Sequence, residues 1–115
     1  MKTVIKTEDN TTIVSLAGRL DSNSAPLFED ELQSFVVSPK GNLVFDFNDL
    51  EYISSAGLRI ILNTAKAFKD GPYCFATCAM QDHVLEVFEI SGFNTFITIH
   101  NSINNSLSAF KTKKD

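Results

Sequence analysis

Two apolar periods follow one another in the middle of this chain, and the change from one to the other limits the folds open to it. Leu43-Val44-Phe45-Asp46-Phe47 is a short, almost unbroken apolar run of the kind that forms a strand covered on both faces. Leu58, Ile61, Leu62, Ala65 and Phe68 then recur at helical spacing, with Arg59, Asn63 and Lys66 on the opposite side. A buried strand followed by an amphipathic helix is the unit of an α/β protein, and the remaining segments continue that alternation.

Residues 2–8 and 11–17 are β-branched runs separated by Asp9 and Asn10, which predicts a β-hairpin. After Gly18 the chain is expected to turn. Ser22, Asn23 and Ser24 offer N-cap oxygens and Pro26 suits a first helical turn, while Leu27, Phe28, Leu32 and Phe35 form an apolar stripe. Together these predict a helix over 25–37, ended by Pro39 and Gly41. The second helix starts near Ser54 or Ser55 and stops at Gly71-Pro72. Residues 73–79 read as another buried strand, and Val84, Leu85, Val87 and Phe88 as a short helix from Asp82 with Gly92 just past its end. A strand at 95–99 and a helix at 102–112, with Leu107 and Phe110 inward, complete a ββαβαβαβα order. The expected fold is therefore α/β, a mixed and mostly parallel sheet with an N-terminal hairpin and about four helices, in one domain spanning residues 1–115.

Ten Lys and Arg against fourteen Asp and Glu give a net charge of −4, which argues against nucleic acid, since such binding needs a concentrated positive field. Lys111, Lys113 and Lys114 are too few to reverse this. No apolar run approaches the length of a membrane span and the first residues carry no secretory core, so no membrane role and a cytoplasmic location are expected. Cys74 and Cys78, four apart in an apolar run, are expected on one face of a strand as two buried, reduced thiols.

Catalysis has thin support. Gly57 and Gly71, the nearest pair of glycines, are too far apart for a dinucleotide or phosphate loop. His83 and His100 lie in no ligand or triad spacing, which leaves them surface or hydrogen-bonding roles. Asp46 and Asp49 lie where a sheet's C-terminal edge often binds ligands, but a phospho-accepting receiver also needs an acidic pair after the first strand and a lysine after a later one. Neither stands at a suitable place. No catalytic residue, metal site or cofactor is expected.

The informative stretch is Asn48-Asp49-Leu50-Glu51-Tyr52-Ile53-Ser54-Ser55-Ala56-Gly57-Leu58, where two hydroxyls fall at the start of a helix. Capping explains one serine, because its oxygen satisfies an orphan backbone N–H. It does not explain two followed by a glycine. Gly57 costs the helix up to ~1 kcal/mol against Ala, so it is expected to admit the close approach of another molecule's backbone. Phosphate on such a serine would add about −1.5 to −2 charges beside the helix's positive end, changing the surface without unfolding the chain.

The strand Leu43–Phe47, the string Tyr52-Ile53-Ser54-Ser55-Ala56-Gly57-Leu58-Arg59, the earlier Leu16-Ala17-Gly18-Arg19-Leu20-Asp21 and the later Ile90-Ser91-Gly92-Phe93 resemble the STAS domain of bacterial anti-sigma factor antagonists over nearly the whole chain. The resemblance implies partner switching. The unphosphorylated form binds an anti-sigma factor that is also a serine kinase and so frees a sigma factor; phosphorylation breaks that complex and a PP2C-type phosphatase restores it. Aligned on Gly57, the acceptor corresponds to Ser55, with Ser54 the second candidate. Many members carry Asp immediately before the acceptor, where this chain has Ser54. Asp21 matches an Asp that lies near the acceptor in the family, or else serves only as a turn carboxylate. Arg59 and Asn63 belong to the partner surface, or else to a solvated helix face. The competing reading within the family is a constitutive docking subunit of a lipid-transport ATPase or a sensory complex, with both serines serving only as caps; an enzyme comes third.

Overall fold

The computed structural model describes residues 1–112, with Thr112 through its backbone alone; Lys113 and Lys114 lie outside the described residues. The chain runs β1 (Lys2–Glu8), β2 (Thr11–Leu20), α1 (Ala25–Val36), β3 (Asn42–Ile53), α2 (Ser55–Phe68), β4 (Phe75–Cys78), α3 (Asp82–Ile90), β5 (Ile99–His100) and α4 (Ile103–Thr112), with one 3-10 turn at Phe93–Thr95. The five strands stand in chain order across one sheet. β1 and β2 form the expected antiparallel hairpin, and every later pair is parallel.

Alternation of side chains sorts the sheet into two unequal faces. Val14 and Leu16 of β2 and Leu43, Phe45 and Phe47 of β3 share the larger core with Phe28 and Leu32 of α1, Ile60 and Ile61 of α2, and Val84 and Phe88 of α3. Phenylalanine rings bind these layers together: Phe45 meets Phe28 and Phe75 edge-on, with centroids 5.6 and 5.0 Å apart. The opposite face carries a smaller core of Ile13, Val44, Ala76 and Cys78, covered by Phe110 of α4.

Several boundaries differ from the sequence reading. The chain does not turn after Gly18. β2 continues to Leu20 alongside a β3 that runs on to Ile53, with register shifts between Ser15 and Ala17 and between Gly18 and Arg19. Gly18 takes φ of +102° within this irregular stretch, a conformation that other residues rarely adopt. Each shift places an extra β3 residue against β2, so beyond Phe47 the buried residues become Leu50 and Ile53, every third instead of every second. Leu27 is 71% exposed and so lies outside the α1 core stripe. No side-chain oxygen caps α1; Ser24 Oγ instead donates to the Arg19 carbonyl at 2.8 Å.

β4 is shorter than 73–79. Cys74 precedes it and is half-buried, while Cys78 is fully buried, so the two thiols share a face but not the same degree of burial. The strand expected at 95–99 begins only at Ile99. The Gly92 carbonyl accepts from Thr95 Oγ1 at 2.7 Å, and the Phe93 carbonyl from the N–H of Ile97, which keeps this segment coiled. Gly92 is where expected, just past α3, with φ of +77°.

Candidate functional site

The two serines at the end of β3 have separate structural roles. Ser54 is the N-cap of α2: its backbone is extended, and its Oγ accepts the N–H of Gly57 at 3.3 Å. Its own N–H donates to the Leu20 carbonyl at 2.9 Å, which ties the start of α2 to the end of β2. Ser55 is the first helical residue, is exposed and takes no part in the cap. Ser55, Arg59 and Asn63 follow one another at four-residue spacing, all exposed, and form one line along the outer side of α2.

Gly57 does not belong to that line. It is buried, and a Cβ there would stand 2.8 Å from Leu20 Cγ and 2.9 Å from Ile53 Cγ1. The close approach it permits is therefore intramolecular: it lets α2 settle on the ends of β2 and β3. The expectation that it admits another molecule's backbone is corrected accordingly. Its effect on the exposed face is to fix how α2, and with it Ser55, is seated.

Asp21 directly follows the Leu20 that bonds Ser54. Its Oδ1 accepts the N–H groups of Asn23 and Ser24, each at 3.0 Å. Chiefly the Ser24 N–H, helped by Asn23, the Ser24 hydroxyl and the Arg19 guanidinium, holds this carboxyl below its usual range against a smaller opposing effect of desolvation. Asp21 thus shapes the turn into α1, one residue beyond the strand end that holds the head of α2. Arg19 lies 4.1 Å above the Tyr52 ring and 3.8 Å from Asp21 Oδ2, closing an exposed cluster next to the serines. Sequence reasoning missed the Arg19–Tyr52 pair, because it becomes visible only once β2 and β3 are known to pair to their ends through two register shifts, the second of which sets Arg19 opposite Tyr52.

α3 braces the same edge. Gln81 Nε2 donates to the Asn48 carbonyl at 3.0 Å, and His83 Nε2 lies 2.6 Å from the Glu51 carbonyl, so the extension of β3 is held on its far side too. His100 bonds Ser106 on α4 through Nδ1 at 2.6 Å, away from this cluster. Cys78 is pushed up to about 12 by burial and by the Asp46 charge, and is thereby kept a neutral thiol. Among the described residues no group of His, Cys, Asp and Glu could hold a metal ion, and no helix is long and apolar enough to cross a membrane.

The STAS domain model matches residues 2–106. BtrV of Bordetella bronchiseptica, whose name assigns it provisionally to the anti-sigma factor antagonists, is 38% identical over 112 residues, covering 97% of either chain. An anti-sigma factor antagonist from Mycobacterium paratuberculosis has the same fold, with a TM-score of 0.88 at 22% identity over 96% of this chain and 93% of its own. The anti-sigma factor antagonist SpoIIAA matches in its unphosphorylated form with a TM-score of 0.80 at 14% identity, over 96% of this chain and 97% of its own. The phosphorylated form of SpoIIAA, from Bacillus, gives 0.72 at 13%, over 94% and 98%.

Proposed function

Because the chain belongs to the STAS domain family, we propose that it is an anti-sigma factor antagonist that works by partner switching, with Ser55 as the phosphate acceptor. The observation that carries this reading is the division of labour between the two serines: Ser54 is committed to the cap, and Ser55 stands free on the exposed line with Arg59 and Asn63. The exchange of the family's usual Asp for Ser54 is consistent with it, since Asp and Ser are comparable N-caps and only a charge is lost. That SpoIIAA is known in phosphorylated and unphosphorylated forms of one fold supports a switch that leaves the domain intact.

In this mechanism the unmodified face of α2 binds an anti-sigma factor serine kinase, and a sigma factor is released. Transfer of the kinase's ATP γ-phosphate to Ser55 Oγ displaces the hydroxyl proton and leaves ADP. The new charge of about −1.5 to −2 sits at the positive end of α2 and one turn from Arg59, so the helix tolerates it. The partner surface does not, because a like charge brought into an interface can cost several kcal/mol. Hydrolysis by a PP2C-type phosphatase returns the serine.

The experiment incubates wild type, Ser54→Ala and Ser55→Ala with the cognate kinase and ATP, then maps phosphate by mass spectrometry. Label on wild type and Ser54→Ala, absent from Ser55→Ala, is expected. Label confined to Ser54 would move the site by one residue. No label with unimpaired binding would replace the switch with constitutive docking.

A further inference from the structure

β1 has no strand beside its outer edge among the described residues. Six of its seven residues are exposed, and Val4 and Ile5, on opposite faces, remain 47% and 44% exposed. Such an edge is a template for another strand. The two-residue link Asp9-Asn10 makes Glu8 and Thr11 a pair that exchanges both backbone hydrogen bonds. By alternation Lys2, Val4, Lys6 and Glu8 aim their backbone groups at β2, while Thr3, Ile5 and Thr7 aim theirs outward.

Two copies joined edge to edge in a closed pair must run antiparallel about a two-fold axis, with outward residues facing outward residues. Centred on Ile5, that arrangement sets Lys2 opposite the partner's Glu8 at both ends, Thr3 opposite the partner's Thr7, and Ile5 opposite the partner's Ile5. The next allowed register in one direction sets Lys2 against the partner's Lys6; in the other it sets Lys6 against the partner's Lys6. Like charges directly opposite one another oppose pairing, and opposite charges favour it. The lysines thus disfavour a slip by one step either way, and of the registers that set opposite charges against each other the one centred on Ile5 pairs all seven residues of β1, against three for the one centred on Thr7.

From this edge we infer a self-association site: a second copy of this chain pairs with β1, antiparallel and centred on Ile5, to make one continuous sheet across the two-fold axis. Thr3, Ile5 and Thr7 each exchange two hydrogen bonds with the partner. A single added strand is a small interface, so the association is weak and concentration-dependent. It involves no residue of the Ser55 cluster, and it stands or falls independently of the phosphorylation reading.

The test combines sedimentation of the full chain over a concentration series with amide exchange read residue by residue. The amides of Thr3, Ile5 and Thr7 should exchange freely when dilute and become protected as dimer forms, while those of Val4 and Lys6 are protected throughout. Lys2→Glu or Glu8→Lys alone should weaken the dimer about tenfold, and the two together should restore it. A chain that stays monomeric at the highest attainable concentration, a dimer indifferent to either single reversal, or a double variant that fails to recover would each overturn the proposal.

Discussion

Gly57 makes its prediction through size. Elsewhere in a helix, Gly→Ala is expected to stabilise by about 0.4–1 kcal/mol. Here the added methyl would meet Leu20 and Ile53 well inside contact distance, so Gly57→Ala should destabilise by about 1–3 kcal/mol, measured as a lower urea midpoint. The serines separate in the same assay: Ser54→Ala removes a cap and should cost about 0.5–2 kcal/mol, whereas Ser55→Ala should stay within about 0.5 kcal/mol of wild type. Asp21 adds a pH signature. Its carboxyl ionises more readily folded than unfolded, so its contribution is complete above the unfolded pKa and is lost as pH falls through the lower, folded value. Asp21→Asn should therefore flatten the acid limb of stability below about pH 4 and leave its slope near neutrality unchanged.

At the level of elements, regular segments were legible and irregular ones were not. The helices and the β1–β2 hairpin follow single periods and could be placed directly, although Leu27, expected in the α1 stripe, lies outside it. The end of β3 could not, because two register shifts turn its buried spacing from two residues to three, and an unbroken alternation is what marks a strand. The strand expected at 95–99 failed for a related reason: Phe96 and Ile97 look β-prone, yet the 3-10 turn leaves Phe96 72% exposed and Ile97 in the core. The family resemblance pointed to Ser55 as the proposed acceptor with Ser54 second, but which of the two serines caps the helix depended on where the helix begins. α4 yields a prediction of its own. Phe110 anchors it over Cys78, so Phe110→Ala should cost about 3–5 kcal/mol and speed alkylation of Cys78. In wild type, half-buried Cys74 should be labelled first, read by mass spectrometry over time.

At the scale of the whole molecule, the exposed line Ser55, Arg59 and Asn63 lies on a helix whose inner face is fixed by the larger core and whose head is tied to the end of β2 through the Leu20 carbonyl. A phosphate there changes charge on a surface whose shape is already set, so stability and partner binding should respond independently. The most direct measurement of the proposed switch is the affinity of its proposed partner, an anti-sigma factor kinase, for the unmodified chain and for the chain phosphorylated at Ser55, by calorimetry, beside the thermal midpoints of both forms. A like charge at the interface predicts binding weakened about a hundredfold or more, with midpoints within a few degrees of one another. Equal affinity for the two forms, or weaker binding that merely tracks loss of the fold, would contradict the account.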